Sequence, residues 1–259
     1  MADYLDTLAR DAKETVAEGY YEISVSHTVS SFSLRRAILE SRQNALITEI
    51  KPASPSRGTI KTGFNPAEVA KAMKSGGATG ISVLTEPKHF NGSLGYLTNV
   101  REAVGLPILM KDIVVDPIQI EAASRIGANV VLLIEALFER GYCELCLDEM
   151  IIQAHSKGLE VLLETHTVDE FEDAVETDAD LVGINNRDLR TLKVDLHITE
   201  RILKKQKSKG KVVVSESGIM TTTDLLFLRG CGAQAFLIGS SVMMAENIEQ
   251  KVKEFVTAH

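Results

Sequence analysis

What this chain lacks narrows what it can be. It has no surplus of positive charge, its net charge being −8. Neutralising a phosphate backbone takes a basic face, so no nucleic-acid partner is expected. The one basic run, Lys204 to Lys211, falls at the end of a predicted helix, where it suits the dipole and reads as solvated surface. No charged-then-apolar segment opens the chain, and no apolar run approaches the roughly 20 residues that would span a bilayer. No membrane partner is expected, and the expected location is the cytoplasm. Cysteine is scarce, with three residues, which fits a reducing compartment. Cys143 and Cys146 form a C-x-x-C pair with no second pair and no His cluster nearby, so neither zinc nor any other metal site is expected. Asn91-Gly-Ser93 matches a glycosylation acceptor but reads as a turn in a cytosolic protein.

What is present is a repeated pattern. Short apolar, β-branched runs occur at Ala45–Ile50, Gly80–Thr85, Pro107–Asp112, Asn129–Ile134, Glu160–Thr165, Leu181–Asn186, Lys211–Ser217 and Ala235–Ser240. Each is too short for a free-standing helix and too continuously apolar for a half-exposed strand, as strands buried on both faces of a parallel sheet are. Helical spacing fills the gaps. Pro66–Ser75 follows a capping Asn65, Thr167 with Glu170 predicts a capping box, and a further helix starts at Thr221. Gly76-Gly77-Ala78, Gly127-Ala128 and Gly232-Ala233 mark where helices stop. The pattern predicts an α/β fold, a single (β/α)8 TIM barrel. An open doubly wound sheet is the alternative, and the G-x-G-x-x-G turn typical of its first strand is absent.

The length of 259 residues suits one barrel with a modest extension. Residues 1–44 are expected to form an N-terminal helical extension and 45–259 the catalytic barrel, one domain in all. Tyr4, Leu5, Leu8 and Ala9, then Leu34, Ile38 and Leu39, recur at helical spacing. They predict two helices across one end of the barrel, serving as a plug or as a substrate contact. With the chain ending at His259 soon after the eighth helix, no partner domain is expected; a monomer is, with a homodimer as the alternative.

Barrel enzymes carry their chemistry at the C-terminal strand ends. Here those ends hold Glu49 and Lys51, Lys111, Glu164, Asn185 with Arg187, Glu216 with Ser217, and Gly239 with Ser240. Side chains two apart share a face, so Glu49 and Lys51 align with Ile47, Lys111 with Leu109, Glu164 with Leu162, and Glu216 with Val214. The apolar members fill the barrel and the charged ones cap it. Three acids against three bases make a nearly neutral cluster suited to proton transfer. Gly218 after the seventh strand and Gly239-Ser240 after the eighth stand where barrels build a phosphate cradle, and Ser54 could add a hydroxyl.

The chain closely resembles the indole-3-glycerol phosphate synthase family. The resemblance rests on Glu49-Ile-Lys-Pro-Ala-Ser-Pro-Ser56, Ser82-Val-Leu-Thr-Glu86, Phe90-Asn-Gly-Ser93, Pro107 to Asp112, Leu132-Leu-Ile134, Leu163-Glu164, Gly183 to Leu189, Ser215 to Ile219 and Phe236 to Ser241. Two positions depart from the family pattern: Pro52 stands where an arginine is usual, and His89 where an aromatic residue often precedes Phe90.

The resemblance implies a small phosphorylated substrate, 1-(2-carboxyphenylamino)-1-deoxyribulose 5-phosphate, and a carboxy-lyase reaction of tryptophan biosynthesis that needs no cofactor. It also implies roles. Lys111 is the candidate general acid and Lys51 holds the anthranilate carboxylate, although the two lysines can exchange the acid role. Glu164 serves the dehydration, and Glu49 orients the lysines. Asn185, Arg187 and Glu216 hold the sugar hydroxyls and the charged network. Ser54, Ser217, Gly218, Gly239 and Ser240 bind substrate around its phosphate, and Phe90, Leu132 and Ile134 form an apolar slot for the ring. Docking onto other enzymes of the pathway is the alternative to working alone. Other readings are a phosphosugar isomerase, a Schiff-base aldolase using one desolvated lysine, and a catalytically silent phosphate-binding barrel.

Overall fold

The computed structural model describes residues 3–24, 31–54 and 58–259. Pro55 and Ser56 of the first-strand signature lie outside them. Eight parallel strands close a barrel in sequence order. They are β1 (Ala45–Ile50), β2 (Gly80–Leu84), β3 (Ile108–Lys111), β4 (Val130–Ile134), β5 (Glu160–Thr165), β6 (Leu181–Asn185), β7 (Val212–Glu216) and β8 (Ala235–Ile238). β1 pairs with both β2 and β8, which leaves the barrel without an edge. A short antiparallel hairpin, Ala53–Ser54 with Gly58–Thr59, follows β1.

Both faces of the strands are dry. Ile47, Leu109, Leu132, Leu162, Leu181, Val214 and Leu237 fill the interior. Their neighbours Leu46, Met110, Val131, Leu133, Val161, Val213 and Phe236 belong to the outer core, under the helices. This two-sided burial is why the strands read as unbroken apolar runs.

The helix signals are met with one change. Asn65 accepts hydrogen bonds from the Ala67 and Glu68 N–H groups at the head of Pro66–Ser75. Thr221 and Asp224 form a reciprocal capping box. Thr167 accepts from Glu170 N, but the Glu170 carboxylate takes the N–H of His166 (2.7 Å) in place of that of Thr167. The expected box is therefore displaced by one residue. Gly232 ends its helix at φ 109°, a left-handed backbone that a side chain would strain.

The two N-terminal helices lie at opposite ends of the barrel, not across one. Helix α1 (Tyr4–Ala17) sits over the C-terminal strand ends. Arg140, just after β4, pairs with Asp3 (2.9 Å) and Asp6 (2.7 Å), and the Tyr20 hydroxyl beyond the helix donates to Thr85 O (3.1 Å). Helix α2 (Leu34–Glu40) closes the N-terminal end. Glu160, the first residue of β5, accepts from the Leu34 and Arg35 N–H groups and from the Ser33 hydroxyl, placing negative charge at the helix start. Leu34 presses on Gly80, where a Cβ would lie 2.6 Å from its Cδ1. Leu39, expected in the buried stripe, is 52% exposed. The α2 helix therefore acts as the plug, and α1 faces the working end. Truncation by Leu34→Ala, which empties a fully buried site, is expected to lower stability by about 2–5 kcal/mol in denaturant unfolding. Turnover per folded molecule should stay at the parent value, because the cavity opens at the other end.

Candidate active site

Every strand-end candidate read from the sequence lines one cavity of about 210 Å³ at the C-terminal end of the barrel. A single water needs on the order of 10–15 Å³ by that measure, so the space suits an organic ligand. Glu49, Lys51, Lys111, Glu164, Asn185 and Glu216 form its floor, with Ser54, Phe90, Leu132, Ile134, Arg187, Ser217, Gly218, Gly239 and Ser240 on its walls.

Two ion-pair groups organise the floor. Lys51 Nζ lies 2.5 Å from Glu49 Oε1. Lys111 Nζ lies 3.2 Å from Glu164 Oε2 and 3.5 Å from Glu216 Oε2. Asn185 donates its amide to Glu164 Oε1 (2.8 Å) and takes the Arg187 N–H on its own oxygen (2.9 Å). His166 completes this chain through Nδ1, 2.7 Å from Asn185 O.

Burial and charge pull these groups in different directions. Loss of water disfavours the Lys111 ammonium, but Glu164, Glu216 and Glu49 more than offset that and raise its pKa. Burial alone would raise Glu49, yet Lys51 and Lys111 hold its carboxyl below the usual range. Glu216 behaves differently. Burial, helped by Glu164 and Glu49 and opposed by Lys111, pushes it up to about 8. Among the described residues, Glu216 has no well-formed hydrogen bond, its contact with Lys111 being the 3.5 Å ion pair. The site thus holds a carboxyl group that keeps its proton at neutral pH beside a lysine that keeps its charge.

Glycines make the room. A Cβ on Gly183, in β6, would overlap Glu216 Oε1, and one on Gly239 would lie 2.6 Å from Glu49 Oε1 and 3.2 Å from Lys51 Nζ. Ser217 (φ 67°) and Gly218 (φ 84°) are successive left-handed residues that turn the chain directly after Glu216. Ser241, in the short helix Ser240–Met243, donates to Ile219 O (3.0 Å) and ties the last two loops together. Ser54 is buried, and its hydroxyl has no hydrogen-bond partner among the described residues.

The sequence pattern left several contributors unmarked. Glu86 accepts the N–H groups of Lys88, His89 and Phe90 (2.9, 2.7 and 3.0 Å) and so builds the short turn of helix that carries Phe90. His89 joins that turn to α1, with Nε2 2.7 Å from Asp11 Oδ2 and Nδ1 3.0 Å from the Tyr4 hydroxyl. Asp112 is buried beside Lys111, where it accepts from Tyr21 (2.9 Å), Thr85 (2.5 Å) and Ile113 N (2.8 Å); burial still pushes it up to about 7. A polar residue closing an apolar run was the available signal for both carboxyls. Asp112 escapes the two-residue alternation because the strand ends at Lys111. Tyr4 and Leu8 of α1 line the cavity as well. Among the described residues, no group of three or more His, Cys, Asp or Glu side chains could hold a metal ion, and Cys143 and Cys146 carry free thiols. No helix of the described residues is long and apolar enough to cross a membrane.

The sequence profile of indole-3-glycerol phosphate synthase matches residues 5–255. The chain belongs to the indole-3-glycerol phosphate synthase family. An enzyme of that name from Methanocaldococcus jannaschii is 47% identical over 228 residues, covering 86% of this chain and 82% of the relative. Another from Caldanaerobacter subterraneus subsp. tengcongensis is 44% identical over 215 residues, covering 82% and 80%. Among solved structures, thiamine phosphate pyrophosphorylase from Pyrococcus furiosus superposes with a TM-score of 0.61 over 86% of this chain and 96% of its own, at 16% identity. That likeness concerns the barrel fold alone. Members of the indole-3-glycerol phosphate synthase family are carboxy-lyases of tryptophan biosynthesis, and the lyase chemistry has its counterpart in a buried acid–base cluster.

The Glu216 carboxyl sets a pH dependence. It is raised in the folded state, so the folded protein binds its proton across the window from 4.5 to about 8 while the unfolded chain loses it. Stability supplied by this group therefore falls as pH rises through that window and levels off above it. Glu216→Gln removes the loss, and its gain in Tm over the parent is expected to grow across the window. A gain that is constant or shrinks with pH in thermal unfolding would contradict this assignment.

Proposed function

We propose that the protein converts 1-(2-carboxyphenylamino)-1-deoxyribulose 5-phosphate to indole-3-glycerol phosphate, carbon dioxide and water. The observation that carries the reading is the Lys111 ammonium, buried between Glu164 and Glu216 at the floor of a cavity with an apolar wall. Ring closure turns a ketone oxygen into an alkoxide, and a charged amine there can both stabilise it and give it a proton. Leu132, Ile134 and Phe90 offer the flat, apolar surface an anthranilate ring needs. Lys51, held by Glu49, suits the ring carboxylate, which leaves once cyclisation has made the ring electron-poor. Glu164, fixed by Asn185, handles protons at the ring nitrogen or the departing hydroxyl. Arg187, Asn185 and the protonated Glu216 suit the sugar hydroxyls. The buried Ser54 hydroxyl, Ser217, Gly218, Gly239 and Ser240 suit the phosphate, where small residues let backbone N–H groups come close.

A Schiff-base aldolase needs a neutral amine. The carboxyls around Lys111 favour its charged form, so the acid role fits and the nucleophile role does not. The same reading makes the protein a cytoplasmic enzyme that acts on a small molecule.

Mixing the protein with this substrate should produce indole fluorescence at a rate that a chelator leaves unchanged. Lys111→Ala is expected to lower kcat by about 10²–10⁴-fold with little change in substrate affinity. A loss smaller than about tenfold would remove Lys111 from the role of principal acid.

A further inference from the structure

A second cavity, of about 190 Å³, lies beside the first, and Ile134, Glu164, Asn185 and Leu189 belong to the walls of both. Its outer wall carries Glu139, Arg140, His166, Glu170, Asp188 and Arg190. Arg190 is 59% exposed, so this space reaches solvent. The volume is more than ten times the roughly 10–15 Å³ that one water needs, and the lining is rich in groups that hold water. Glu164 therefore faces two spaces, one taken by substrate under the reading above and one that substrate leaves open.

The proposed reaction gives that second space a use. Ring closure forms a bond from the carboxylate-bearing ring carbon to the ketone carbon, and the ketone π electrons move to oxygen, which takes a proton from Lys111. Decarboxylation breaks the bond to the carboxylate and returns its electron pair to the ring. The hydroxyl leaves as water with a second proton, and the methylene carbon beside nitrogen releases one proton as the indole double bond forms. Two protons are taken up and one is returned, while the carboxylate departs as neutral carbon dioxide. One solvent proton must enter per turnover.

We propose that the second cavity is a water route that delivers this proton to Glu164 and on to Lys111, 3.2 Å away, while substrate fills the main cavity. The inference rests on the reaction proposed above. Ala136 lines the second cavity and not the first, so a larger apolar side chain there narrows the route without touching the floor of the site.

The test compares Ala136→Leu with Ala136→Ser, which keeps the space, after thermal unfolding has shown both to be folded. For Ala136→Leu, kcat is expected to fall about fivefold or more with a larger solvent-deuterium effect on kcat. Its kcat/KM should stay at the parent value, because that ratio ends at the irreversible decarboxylation, served by the proton already on Lys111. Ala136→Ser should match the parent in both constants. An unchanged kcat in Ala136→Leu, or equal losses in kcat and kcat/KM, overturns the route. A parent protein without turnover overturns the reaction beneath it instead.

Discussion

A buried ammonium among three carboxyl groups is the arrangement on which the rest of the site depends. Taking Lys111 out of water costs several kcal/mol unless other charges offset it, and Glu164 and Glu49 do so from other strands, joined by Glu216 once it ionises. Strand register brings two of those carboxyls together: Glu164 lies opposite Gly183 in the β5–β6 pair, and Asn185 opposite Glu216 in the β6–β7 pair. Gly183 sits between the two acids with no side chain, and Glu216 occupies the space a Cβ would take. One glycine in one strand thus lets two carboxyls approach one lysine.

The same crowding separates the roles of the acids. Glu49 has Lys51 at 2.5 Å and Lys111 nearby, and both favour its charged form. Glu216 is buried, with Lys111 at 3.5 Å opposed by two carboxyl neighbours, so it keeps its proton up to about 8. Groups of one chemical type pushed apart in this way can serve opposite directions of proton transfer. The second cavity extends that logic, giving Glu164 access to solvent protons from a side the substrate leaves open.

The residues before the first strand are part of this machinery. Helix α2 fills the bottom of the barrel under Glu160, while α1 reaches the mouth with Tyr4 and Leu8. Beyond α1, Tyr21 donates to the buried Asp112, the residue after Lys111. The extension therefore touches both the cavity wall and the side chain that follows the central lysine.

Local chemistry wrote much of this into the sequence. Two-sided burial forces continuous apolar strands, alternation fixes which residues face inward, and Asn65, Thr221 and Gly232 mark helix ends by hydrogen bonding and backbone conformation; the barrel and the lining of its mouth were legible for those reasons. Even so, the Thr167 box bonded one residue earlier than its spacing implied, and Leu39 fell on the exposed side of its helix. Tertiary structure alone decided that the two N-terminal helices sit at opposite ends, because amphipathic spacing shows that a face is buried and not against what. It also decided that Lys111 meets Glu164 and Glu216, that Asp112 is held by Tyr21, and that a second cavity opens beside Glu164. Those contacts join residues from 53 to 105 positions apart, and their energies come from desolvation and charge, which exist only once the barrel has closed.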